Sequence, residues 1–128
     1  MPDLFEVLLR LGIAAILAGM VGLERETSNR PAGLRTHILV SVASSLVIIG
    51  NLYAFDLFKN QTSMDPMRLG AQVISGIGFL GAGTIIKEGP TIRGLTTAAS
   101  LWSVACIGLV CGIGFYMGAI FATGFVLL

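Results

Sequence analysis

The 34 residues from Leu95 to Leu128 contain no charged side chain. A helix crosses roughly 30 Å of hydrocarbon with about 20 apolar residues, at a rise of about 1.5 Å each. The segment is therefore too long for one span and short for two. Gly112 and Gly114, near its middle, supply a turn that divides it into helices at 95–111 and 113–128, at the low end of the spanning range. The rest of the chain agrees with a bilayer as solvent: of 128 residues, 55% are apolar and 12% charged, against roughly 25% charged in soluble domains.

Three further spans are expected. The first, 4–23, includes Glu6 and Arg10 near one interface, four residues apart with the acid on the N-terminal side, the better order for a helical ion pair. The second is 36–55. The third, 69–86, follows Asp65-Pro66, a capping acid and a proline at the first helical position, and stops at Lys87 before Gly89-Pro90. The expectation is an all-α integral membrane protein: one transmembrane domain over 1–128, a bundle of about five short helices.

The opening MPDLFEVLLR is acidic before it is basic, the reverse of a secretory signal, so the first span stays in the bilayer. Arg25, Arg30, Arg35, Lys87 and Arg93 fall in alternate connections facing one side; Arg10, Lys59 and Arg68 face the other. Five against three puts the N-terminus outside and the C-terminus in the cytoplasm. The chain stops on Leu127-Leu128 with neither polar tail nor cap, as a helix continuing into a longer protein would.

The formal net charge of +1 gives no basic field for nucleic acid. Cys106 and Cys111 lack the spacing of a metal site and read as buried, inert thiols. No nucleophile, base or metal-ligand set suggests an enzyme, and no cofactor is expected.

Within the third span, GIGFLG at Gly76, Gly78 and Gly81 matches the dinucleotide pattern G-x-G-x-x-G in letters only. The pattern requires a preceding strand and an acid about 20 residues on, and no acidic residue follows Glu88. Helical spacing offers a better account. Ala71, Ser75, Gly78 and Ala82 form one small-residue stripe, with Gly76 and Gly83 on a neighbouring face, and such stripes let membrane helices pack closely. The third helix is thus expected to be central and tightly packed.

Asp65, Arg68 and Gln72 follow one another at helical spacing and could form a polar ladder, either as a functional path or as a cap, a snorkelling arginine and a satisfied amide. GLERETSNRPAGLRTH carries Glu24, Arg25, Glu26, Arg30 and Arg35 in the first connection, broken by Pro31 and Gly33. It reads as a solvated hairpin or as an ion-pair cap over an aqueous cavity; Glu24, next to the apolar run, is the member expected to be partly buried. His37 reads as an interfacial end-group. Thr96, Thr97 and Ser100 can bond back to their own helix, the favoured reading, or reach a neighbour, and Trp102 reads as a packing or cavity-lining residue.

GLERE at 22–26, AGLRTH at 32–37, DPMRLGAQVISGIGFLGAGTIIK at 65–87 and RGLTTAASLW at 93–102, in this order, closely resemble the membrane domain of the MgtC/SapB family of bacterial inner-membrane proteins. The resemblance implies a five-helix domain with its N-terminus outside. It implies a role in growth under low magnesium, in acid tolerance and in survival of pathogens inside macrophages, exerted by binding membrane proteins such as the ATP synthase. At matching positions it singles out Glu24, Arg25, Arg35, Asp65, Arg68, Gln72, Lys87 and Arg93. The expected partners are the lipid bilayer, a second copy in a homodimer and another membrane protein; the alternative is a small dimeric ion transporter with its path along the third helix. The cytoplasmic C-terminal domain of many relatives is not in this sequence.

Overall fold

The structure, a computed structural model, describes residues 2–61 and 63–128. Among them are five helices and one hairpin. Helix α1 spans Leu4–Thr27, α2 Leu34–Phe58, α3 Arg68–Ala82, α4 Leu95–Gly112 and α5 Tyr116–Leu127, with strands β1 (Ile86–Glu88) and β2 (Thr91–Arg93) between α3 and α4. Among the described residues, only α1, α2 and α4 are long and apolar enough to cross a bilayer by length and composition; α5 is apolar but has 12 residues, and α3 has 15.

Asp3 starts α1 by accepting the Glu6 amide at 2.8 Å, the capping role of a short carboxylate. The helix then runs through Glu24, Arg25 and Glu26 as far as Thr27, so these residues are helical and do not lie in the connection expected from the sequence. The turn itself is short, with Asn29 and Ala32 in left-handed conformations on either side of Pro31. Glu26 reaches over it and accepts from the Leu34 amide at the start of α2.

The third helix departs most from expectation. It begins at Arg68 rather than after a cap at Asp65, whose carboxylate instead accepts from the Met67 amide in the turn before it. It ends at Ala82, four residues early, where the Thr84 hydroxyl donates to the Gly81 carbonyl at 2.7 Å. Beyond it the β-branched runs Thr84-Ile85-Ile86 and Thr91-Ile92 flank Gly89-Pro90, a composition suited to two strands and a turn. They pair antiparallel, Ile86 with Arg93 and Glu88 with Thr91, a short hairpin that the sequence reading did not expect in an otherwise helical bundle. Gly94 closes the hairpin onto α4 with φ +91, and a Cβ there would meet the Thr84 carbonyl oxygen at 1.9 Å.

The core lies between α1, α4 and α5, where Ala14, Leu17, Ala18, Val21, Val104, Ile107, Cys111 and Ala119 pack together. Helix α2 closes onto α4 along a seam of small residues. A Cβ on Gly108 would lie 2.1 Å from the Ser41 carbonyl oxygen, and one on Gly112 2.1 Å from Ile48. This Gly108-x-x-x-Gly112 pair is the close helix contact of the fold. Gly22 of α1 makes another, against the backbone of Gly33 and Leu34.

The stripe on α3 is not such a contact within the chain. Ala71, Ser75, Gly76, Gly78, Ala82 and Gly83 are exposed, and nothing lies within 4 Å of a Cβ built on Gly76 or Gly78. Only Gly70, against Ile48, and Gly81, against Ala98, touch neighbouring helices closely. Helix α3 packs on the outside of α2 and α4, so the expectation of a central helix is corrected. At the other bend, α4 and α5 are joined as expected by a turn with Gly114 at φ +89.

Candidate functional site

Because consecutive helices run antiparallel, the end of α1, the start of α2, the hairpin and the start of α4 gather at one end of the bundle. There they enclose a cleft of about 830 Å³ lined by Glu24, Arg25, Arg30, Arg93 and the first turn of α4. Three guanidinium groups face one carboxylate.

Arg25 is the centre of this arrangement. Although charged, it is only 7% exposed. Its Nε and Nη2 donate to the Pro31 carbonyl at 3.1 and 2.9 Å, and Nη2 also donates to the Thr97 hydroxyl across the helix interface. It thereby ties the α1–α2 turn to α4. None of its partners is an anion: the ion pairs among the described residues are Glu6 with Arg10 and Asp56 with Lys59.

One turn further into the bundle, His37 has no exposed surface. Nδ1 lies 2.9 Å from the Gly33 carbonyl oxygen and Nε2 2.6 Å from the Ser100 hydroxyl. A carbonyl can only accept, so Nδ1 carries the proton, and in the neutral ring Nε2 then accepts from Ser100. Two readings made from sequence are corrected by this geometry. His37 is a buried link between α2 and α4 rather than an interfacial end-group, and Thr97 and Ser100 bond other helices rather than their own.

The residues singled out in advance fall into three groups. Glu24, Arg25 and Arg93 come together around the cleft; burial falls on Arg25, while Glu24 is exposed. Arg35 and Lys87 are exposed at the same end, outside the cleft. Asp65, Arg68 and Gln72 are exposed near the opposite end, and no side-chain hydrogen bond joins them. The expected ladder is not formed within the chain: Asp65 turns to the Met67 amide. Trp102 lines a groove between α4 and α5 with Cys106 and Ala122, as a cavity-lining residue was expected to.

Asn51 and Tyr116 were passed over, and Arg30 was named in the first connection without being singled out. Asn51, 2% exposed, accepts from the Leu69 amide at 2.7 Å and so caps α3 from α2; an amide inside an apolar span was the available signal. Arg30 joins the cleft. Tyr116 donates to Glu6 at 2.6 Å, while Glu6 pairs with Arg10 at 3.1 Å as the spacing implied. Arg10 also caps the end of α4 through the Gly112 carbonyl at 2.8 Å.

The sequence profile described as the MgtC family matches residues 11–128. Among similar proteins, Protein SapB of Bacillus subtilis is 44% identical over 126 residues, covering 96% of this chain and 54% of the relative. The putative magnesium transporter YhiD of Escherichia coli is 43% identical over 125 residues, covering 96% and 58%. Protein MgtC of Salmonella typhimurium is 44% identical over 121 residues, covering 94% and 49%. The chain thus spans about half the length of the curated relatives it matches. No solved structure matches it.

Proposed function

The chain belongs to the MgtC family, and from that membership we propose that it is a non-enzymatic, multi-pass protein of the bacterial inner membrane that regulates other membrane proteins during adaptation to low magnesium or acid. The ATP synthase and ion transporters are the partners this reading names. What carries a binding role, rather than conduction, is the closed interior. Between α1, α4 and α5 the space is filled by Ala14, Leu17, Ala18, Val104, Ile107 and Cys111, and α2 meets α4 at backbone contact along Gly108 and Gly112. Charged side chains concentrate at the two ends, where a partner can reach them.

The second reading is a dimeric transporter, favoured by one observation: the small-residue face of α3 is uncovered in the single chain, with Gln72 at its start. Two copies joined there would place Asp65, Arg68 and Gln72 beside a shared path. The name of the Escherichia coli relative, putative magnesium transporter, points the same way.

Magnesium flux into proteoliposomes containing the purified chain separates the two. The regulator predicts flux no greater than in empty vesicles, together with a membrane protein that co-purifies in mild detergent. Gradient-driven flux that Gln72→Ala or Asp65→Asn abolishes would overturn it in favour of transport.

A further inference from the structure

We propose that the arginine-lined cleft at the α1–α2 turn is a binding site for a phosphate group. The argument begins with Arg25. Burying a guanidinium is costly unless an anion or a full set of acceptors compensates it. Here Nε and Nη2 are held by the Pro31 carbonyl and the Thr97 hydroxyl, both neutral, and Nη1 has no hydrogen-bond partner among the described residues. Arg25 is thus held in orientation, is among the residues lining the cleft and forms no ion pair among the described residues.

A second, independent feature faces the same space. Helix α4 has 18 residues, and its first turn, Leu95 to Thr97, lines the cleft. The leading amides of a helix have no acceptor within it and are ordinarily served by a Ser, Thr, Asp or Asn side chain at the N-cap. The N-cap here is Gly94, and no side chain caps the helix. No capping residue type could replace it, because a Cβ would strike the Thr84 carbonyl at 1.9 Å in a backbone conformation with φ +91. The hairpin geometry therefore keeps these donors uncapped, with the positive end of the helix dipole beside them.

Arg30 and Arg93 complete the lining, and Glu24 is its single carboxylate. The guanidinium groups of Arg30 and Arg93, the Nη1 of Arg25 and the leading amides of α4 offer more donors, from more directions, than the two oxygens of a carboxylate accept. A tetrahedral phosphate presents three or more acceptor oxygens and suits the planar fork of arginine. Ile92 and Leu95, both more than half exposed, also line the cleft, so the group could come from an anionic lipid as readily as from free phosphate.

The test uses the full chain in a maltoside detergent, which contains no phosphate. Its thermal unfolding midpoint is followed while inorganic phosphate, or in a second arm short-chain phosphatidylglycerol, replaces chloride at fixed ionic strength. A ligand that binds the folded state alone raises the midpoint with concentration. An increase of a few degrees is expected in at least one arm; the phosphatidylglycerol arm alone assigns the source to lipid, and the inorganic arm to a free anion. The double variant Arg30→Gln/Arg93→Gln, whose replaced side chains make no hydrogen bond in the folded chain, should keep the unliganded midpoint and weaken binding by about tenfold or more. No shift in either arm, or an equal shift in the double variant, overturns the proposal.

Discussion

His37 and Arg25 show what a buried polar residue does when its neighbours are helices rather than water. The imidazole donates to Gly33 and accepts from Ser100, so both nitrogens are used and α2 is joined to α4 at a fixed depth. Truncating it strands the Ser100 hydroxyl and leaves a cavity. The expected outcome for His37→Ala is a loss of about 2–4 kcal/mol, combining an unsatisfied partner with lost packing, read as a lower unfolding midpoint in detergent. Ser100→Ala, which removes one bond and little volume, should cost about 0.5–1.5 kcal/mol. Equal losses from the two would mean that packing of the ring is not what His37 contributes. The sequence marked this neighbourhood through GLERE, AGLRTH and RGLTTAASLW, but it could not say which side chain turned inward. Glu24 and Arg25 are consecutive, about 100° apart on a helix, and the orientation of α1 alone decides that Arg25 is buried and Glu24 exposed.

At the scale of elements, two glycine patterns competed for the role of close contact. GIGFLG in α3 has the more conspicuous spelling, yet a Cβ on Gly76 or Gly78 would meet nothing within 4 Å, while Gly108 and Gly112 in α4 meet the backbone and side chains of α2. The long helices and the turn at Gly112–Gly114 were legible because apolar length and glycine position suffice to place them. The seam was not, since glycine is abundant in membrane helices and which glycines meet a neighbour depends on helix rotation. The hairpin was missed for a related reason. Ile85, Ile86 and Ile92 are as apolar as a span, so hydropathy extended α3 to Ile86, whereas β-branching and Gly89-Pro90 favour strands. The contrast between the glycines gives a direct prediction. Gly108→Ala must push α2 away from α4 and should cost about 1–3 kcal/mol, as overpacking does. Gly78→Ala, with open space around it, should be neutral or stabilising by up to about 1 kcal/mol through helix propensity. Unfolding midpoints of the two variants decide it, and a penalty at Gly78 larger than at Gly108 would invert the assignment of the seam.

The whole molecule is electrically two-ended. Antiparallel packing collects Arg25, Arg30, Arg35, Lys87 and Arg93 at the end that holds the cleft, with Glu24, Glu26 and Glu88, a sum of +2. The other end carries Arg10, Lys59 and Arg68 with Asp3, Glu6, Asp56 and Asp65, a sum of −1, and the two add to the formal +1 of the chain. Part of the second set is neutralised locally, since Arg10 is bound to Glu6 and Lys59 to Asp56, whereas the arginines of the cleft end have no such partners among the described residues. On the proposed reading as a multi-pass membrane protein, retention of Lys and Arg on the cytoplasmic side, which counts basic residues rather than net charge, would orient the bundle with its cleft in the cytoplasm. The lone thiols lie within α4, Cys111 buried and Cys106 half-buried, so a cysteine introduced at an exposed turn is the group an aqueous reagent meets first. A membrane-impermeant maleimide applied to intact spheroplasts should therefore label Gln61→Cys and spare Ser28→Cys, which should react only once the membrane is opened. Labelling in the reverse order would put the cleft outside, where the cytoplasmic partners of the proposed regulator could not reach it; labelling of both would mean that the two ends do not lie across a bilayer from each other.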